Sequence, residues 1–165
     1  MISVYHTITE GEHRFTVDTT VRPGDPHTDV READTFDIGR NAVVYVWGNA
    51  RYYIWGEACV HIFGNAEVYV WGKAQVHITG SGVVHADEHA QVFAAGRDGV
   101  VKVFAKGRGH IVASVGAEVF AYAEVKVFSD QDVPVKLHGY ALNHTASGVE
   151  GNTDTYRGGY YRLPL

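Results

Sequence analysis

The chain has 165 residues, a single cysteine, 45% hydrophobic residues and a formal net charge of −5. That length suits one domain with a sizeable core, and the lone Cys59 excludes an internal disulfide. No apolar run approaches the roughly eighteen residues of a membrane span and no basic-then-apolar leader opens the chain, so a soluble, unsecreted protein is expected.

Residues 1–40 read as an N-terminal hairpin and loop. Ile2, Val4, His6 and Ile8 alternate, Thr9-Glu10-Gly11-Glu12 offers a turn, and Phe15 and Val17 alternate again. Arg22-Pro23-Gly24-Asp25-Pro26 breaks any ladder. This segment holds eight acids against four Lys and Arg, so most of the net charge lies in it. The hairpin is expected to cap the repeats that begin at Asn41.

Residues 41–129 are a tandem array with a unit of eight. Its cleanest copies are NAVVYVWG, NARYYIWG, EACVHIFG, NAEVYVWG and KAQVHITG, from Asn41 to Gly80. Position 2 of each copy is always small: Ala42, Ala50, Ala58, Ala66, Ala74, Gly82, Ala90, then Gly99, Gly109, Ala117 and Ala123. Position 4 runs from Val44 through Tyr52 and Val60 to Val119 and Val125, and position 6 from Val46 through Ile54 and Ile62 to Ala121 and Val127. Apolar columns two residues apart put positions 2, 4 and 6 on one side of a short strand. In this register the steps stay at eight up to Ala90 and then become nine, ten, eight and six, as if the later copies degenerate.

One strand and turn of eight residues cannot bury its apolar side alone. Stacking copies at the inter-strand spacing of about 4.8 Å buries a continuous core, which predicts an all-β fold, a parallel β-solenoid (β-helix). The number of copies per coil stays open. A sixteen-residue coil stacks Arg51 on Glu67 and Glu57 on Lys73; a twenty-four-residue coil stacks NAVVYVWG on NAEVYVWG, with Tyr and Trp ladders.

The array resembles the Gly-Asn-Ala-x-Val octapeptide repeats of bacteriophage and bacterial proteins, through Gly48-Asn49-Ala50, Gly64-Asn65-Ala66 and the Val columns. The resemblance covers just over half the chain. It implies a solenoid and a phage origin, hence a protein of the host cytoplasm or of the virion, and it carries no catalytic residues with it.

Positions 5 and 7 point away from the core. They bear Tyr45, Tyr53, His61, Tyr69, His77 and His85, and Trp47, Trp55, Phe63, Trp71 and Thr79. All three tryptophans thus lie outside, in one expected aromatic band. Such a patch marks an interface, and Trp and Tyr are favoured anchors. Tyr45, Trp47, Tyr53, Trp55, Phe63, Tyr69 and Trp71, with His61 and His77 beside them, are therefore the candidate partner-binding residues. The partner is expected to be another protein or a second copy of the chain in a homo-oligomer, with glycan as the alternative because aromatic rings stack on sugars.

No catalytic residue, metal or cofactor is assigned. His85-Ala86-Asp87-Glu88-His89 gathers the residue types of a zinc site or of a solenoid hydrolase or transferase, but those residues would have to stay extended where a turn is due. Cys59 falls at position 3 and reads as a surface thiol. Seven basic residues spread among seven acidic ones between Asn41 and Phe128 make no nucleic-acid face. Residues 130–165 read as a turn, one strand over Val135–Leu142, and an irregular tail whose Gly159–Leu165 end is expected to fold back as a second cap, with docking on a partner as the alternative. Asn143-His144-Thr145 matches a glycosylation sequon and is taken as chance.

Overall fold

The computed structural model describes residues 5–17, 34–130 and 132–151. Those residues form a parallel β-solenoid of flattened coils, each made of one strand on a first face and one on a second. The chain enters with β1 (Tyr5–Ile8) on the first face and β2 (Glu12–Thr16) on the second. Next come β3 (Asp34–Ile38) and β4 (Val43–Trp47), then β5 (Ala50–Ile54). The strands β6 (Cys59–Val70), β7 (Gln75–Ala86) and β8 (Gln91–Ala105) each begin on the second face and run round an edge onto the first. The stack continues with β9 (His110–Ala113), β10 (Ala117–Ala121), β11 (Lys126–Ser129), β12 (Val135–Leu137) and β13 (Leu142–Thr145). A closing strand, β14 (Gly148–Gly151), pairs with β13 and is antiparallel to it. Among the described residues no helix is long and apolar enough to cross a membrane.

Two octads make one coil. Val43 stacks on Cys59 and Cys59 on Gln75; Ala50 stacks on Ala66 and Ala66 on Gly82. The sixteen-residue coil is thereby selected, and Arg51 donates from Nε to Glu67 Oε2 at 3.0 Å as that coil requires. Positions 2, 4 and 6 face inward from both faces: Val44, Val60, Val76 and Val92 oppose Tyr52, Val68 and Val84, all fully buried. Tyr52 is the largest of the buried side chains, stacked on Phe36 at 5.3 Å.

The two edges differ. At one, every coil passes through a left-handed residue: Arg40, Gly56, Gly72, Glu88, Gly107, Ala123 and Gly139, with φ between 51° and 89°. At the other edge Gly48, Gly64 and Gly80 stack so closely that a Cβ on Gly64 would run into the Gly48 carbonyl, and one on Gly80 into that of Gly64. The asparagine after each of the first two glycines turns inward and builds a ladder. Asn65 N donates to Asn49 Oδ1 at 3.2 Å, and Asn65 Nδ2 donates to Ser81 Oγ at 3.3 Å. The Gly-Asn-Ala signature is thus an edge device: Gly for close approach, Asn for a hydrogen-bonded column, Ala for the narrow corner.

Three sequence expectations are corrected. The N-terminal hairpin does not form: β1 pairs in parallel with β3 and β2 with β4, so residues 5–17 are a coil of the solenoid. The reason is burial, since parallel stacking lays Ile8 on Ile38 and closes the interior with His6 and Phe15, whose rings lie 4.9 Å apart. The proline-rich loop at Arg22–Pro26 lies outside the described residues.

The later copies do not degenerate. Gly80 pairs with Gly96 but Gly82 with Val101, so three extra residues sit at that edge, and the steps then return to eight. Position 2 is therefore Val101, where Gly99 was expected, and Val125, where Ala123 was expected. Small residues misled the register, because Gly99 belongs to the insertion and Ala123 stands at the left-handed corner that glycine usually fills.

Finally, the pattern does not fail at Ser129. Val119 stacks on Val135 and Lys126 on Leu142, so residues 132–145 add a further coil, with a corner through Gly139 where one strand over Val135–Leu142 was expected. Asn143, the sequon asparagine, is 3% exposed and accepts from Ser129 Oγ at 2.9 Å, an inward structural role. The proposed cap at Gly159–Leu165 lies outside the described residues.

Candidate functional site: two outward faces

The expected single aromatic band is split between opposite faces, because alternate octads lie on opposite sides of a two-octad coil. Tyr45, Trp47, His61, Phe63 and His77 are on the second face; Tyr53, Trp55, Tyr69, Trp71 and His85 are on the first.

On the second face the position-5 column is one continuous stack. Tyr45 lies 4.6 Å from His61, His61 4.5 Å from His77, and His77 4.4 Å from Phe93, with planes within 14°. Arg14 covers the Tyr45 ring from the first coil. Beside this column Trp47 stacks on Phe63 at 5.2 Å. Position 3 runs Val43, Cys59, Gln75 and Gln91, and position 7 ends in Thr79 and Ala95. On this face no residue at positions 3, 5 or 7 of these four coils is an acid, a lysine or an arginine. Burial lowers the pKa of His61 and of His77, which its neighbour His61 lowers further, so both rings favour the neutral form. Burial also raises the Cys59 thiol, which lies 3.6 Å from His61 Nε2.

The first face carries a second ladder. Tyr53, Tyr69, His85, Phe104 and Phe120 stack at 4.7 to 5.5 Å. Charges are interleaved with the rings: Arg51 and Glu67 pair at position 3, and Lys106 and Asp87 approach at 3.3 Å in the position-7 column. Tyr69 donates to Glu67 at 2.7 Å. Burial alone would raise the Glu67 pKa, but the hydrogen bonds from Tyr69 and Arg51 outweigh it and the carboxyl is lowered. Trp55 folds over Gly39, where any Cβ would collide with its indole, and donates Nε1–H to Asp37 at 2.7 Å. It is therefore less available than Trp71. Between the ladder and the position-7 column runs a groove of about 680 Å³, lined by Tyr53, Tyr69, Trp71 and Tyr122 with Asp87, Glu88 and Lys106.

The His85–His89 stretch does not assemble into a cluster. Glu88 is the left-handed corner residue, with φ of 55°, so His85 stays in the first-face ladder while His89 lies past the turn. Asp87 accepts from the Glu88 amide and Glu88 from the Gly72 amide, which makes both acids corner hydrogen-bond acceptors. Among the described residues, the side chains whose ligand atoms gather are instead Cys59, His61 and His77.

The split was readable in one column. From Asn49 onward, position 1 alternates between Asn49, Asn65 and Ser81, which line the ladder edge, and Glu57, Lys73 and His89, which stand at the exposed corner. That sixteen-residue alternation distinguishes the two kinds of octad. Fold and surface together define an octapeptide-built, two-faced parallel β-solenoid. Comparison with protein-family models, curated proteins and solved structures finds no match.

Proposed function

We propose that this protein is a non-enzymatic structural or protein-interaction module, phage-encoded, that works in the host cytoplasm or the virion by pairing its second face with a second copy of the chain. One observation carries this reading: four successive coils present an uncharged aromatic surface on which Trp47 and Phe63 are 38% and 36% exposed. A flat surface without like charges meets its own copy across a two-fold axis without repulsion, and aromatic rings fixed in ladders lose little entropy on contact. The repeat resemblance supports the phage origin. Light scattering on the purified chain is the test. The expected result is a defined oligomer that falls to the 18.1 kDa monomer in Trp47→Ala; a monomeric wild type overturns the reading.

The first-face groove favours a second reading, glycan binding. Rings at Trp71 and Tyr122 offer stacking surfaces, and Asp87, Glu88 and Lys106 offer hydroxyl partners. Under that reading Trp71→Ala loses oligosaccharide binding in a panel assay while the mass stays that of the wild type.

A further inference from the structure

At the centre of the second face stands a group of side chains with metal-ligating chemistry, which neither the ring stacking nor the groove requires. Cys59 and His61 lie two apart on β6 and therefore point the same way. His77 stands on β7 in register with His61. One ligand atom from each of the three lies within 4.8 Å of the others, and all three side chains are half-buried. From these positions we propose that Cys59, His61 and His77 form a binding site for a borderline divalent metal ion of the zinc class, coordinated by one thiolate and two imidazoles, with the fourth position facing outward for water or another ligand.

Geometry favours this ion. A tetrahedron with Zn–S of about 2.3 Å and Zn–N of about 2.0 Å has an S···N edge of about 3.5 Å. Cys59 Sγ already lies 3.6 Å from His61 Nε2. The other ligand atoms lie within 4.8 Å, and a tilt that brings the His77 nitrogen in by up to about 1.5 Å closes a tetrahedron with an N···N edge of about 3.3 Å. Ligand chemistry points the same way. Calcium and magnesium need oxygen donors, and the outward columns around the site contain no carboxylate; Gln75 is the neighbour opposite Cys59. Sulfur with imidazole suits zinc. Tyr45 stacks on His61 and Phe93 on His77, so the ladder confines both rings and the His77 tilt is the adjustment that binding requires. Binding makes a metal–sulfur bond and releases the Cys59 thiol proton to solvent, with no oxidant or reductant involved. The bound ion bridges two successive coils, β6 to β7, and so acts as a cross-brace.

Cobalt(II) titration of the chelator-treated full chain tests the site. One equivalent is expected to produce a thiolate-to-cobalt charge-transfer band that zinc displaces. Cys59→Ser should abolish the band. His77→Phe keeps the ring stack, as Phe93 shows the ladder accepts phenylalanine, yet removes a ligand; zinc affinity should fall at least about tenfold, the loss that even an outer-shell change brings. His85→Phe, the equivalent change on the opposite face, should leave affinity unchanged. Zinc should also raise the melting temperature of the wild type and not of Cys59→Ser. Absence of a saturable band, a band that survives in Cys59→Ser, or equal affinity in His77→Phe and the wild type overturns the site. Should His77→Phe misfold by circular dichroism, His77→Gln takes its place with the same expectation.

Discussion

The two faces are built from the same octad, yet they differ in chemistry. The second face is aromatic and free of acids, lysines and arginines at its outward positions over four coils, with a stacked pair of histidines at its centre. On the first face each ring is set among charges, as Tyr69 is beside the Arg51–Glu67 pair and Trp71 beside Asp87 and Lys106. Stacking accounts for the ladders on both faces, since rings at inter-strand spacing attract by about 0.5–1.5 kcal/mol per pair. What differs is what the outside can meet: a like surface on one side, a polar ligand on the other.

The largest effect should come from breaking what the faces share. In Gly64→Ala a Cβ would meet the Gly48 carbonyl at φ of 147°, so both faces should lose stability together, on the order of 3 kcal/mol in a urea melt. A smaller change should separate the faces. Phe63→Lys puts a charge into the uncharged surface and should dissolve the oligomer seen by light scattering, whereas Val83→Lys, placed beside Glu67 and Lys102 on the first face, should leave the mass unchanged. An oligomer insensitive to Phe63→Lys would move the interface elsewhere.

Two stabilising changes come next. Ala123→Gly relieves a left-handed alanine at φ of 56° and should gain about 1 kcal/mol. Tyr52→Phe removes a buried hydroxyl that has no hydrogen-bond partner among the described residues, and should also gain about 1 kcal/mol. The smallest effect belongs to the charged face. Glu67 has a folded pKa below its ordinary value of 4.5, so its contribution is present above pH 4.5 and lost as pH falls through the folded value. Wild-type stability should therefore slope more steeply below pH 4.5 than that of Glu67→Gln, and the two should run parallel above it.

The aromatic residues were legible as outward-facing because positions 5 and 7 follow from a period of two, which the backbone imposes on any strand. Their grouping was not, since Trp47 and Trp55 are one octad apart and end on opposite faces. Cys59, read as an isolated surface thiol, meets His77 only through the stacking of β6 on β7.

By itself, then, the sequence determined the strand period, the inward columns, the parallel stack and the outward rings, because these depend on side-chain alternation and on burying what one octad cannot bury alone. Tertiary structure decided which octads become neighbours. That choice depends on where the chain turns back, at Gly56 and Gly72 as left-handed corners and at Gly48 and Gly64 as close-packed edges. Parallel pairing made residues 5–17 a coil, and closing the later coils at sixteen residues brought Arg51 to Glu67, divided one aromatic set into two faces and brought a cysteine and two histidines together.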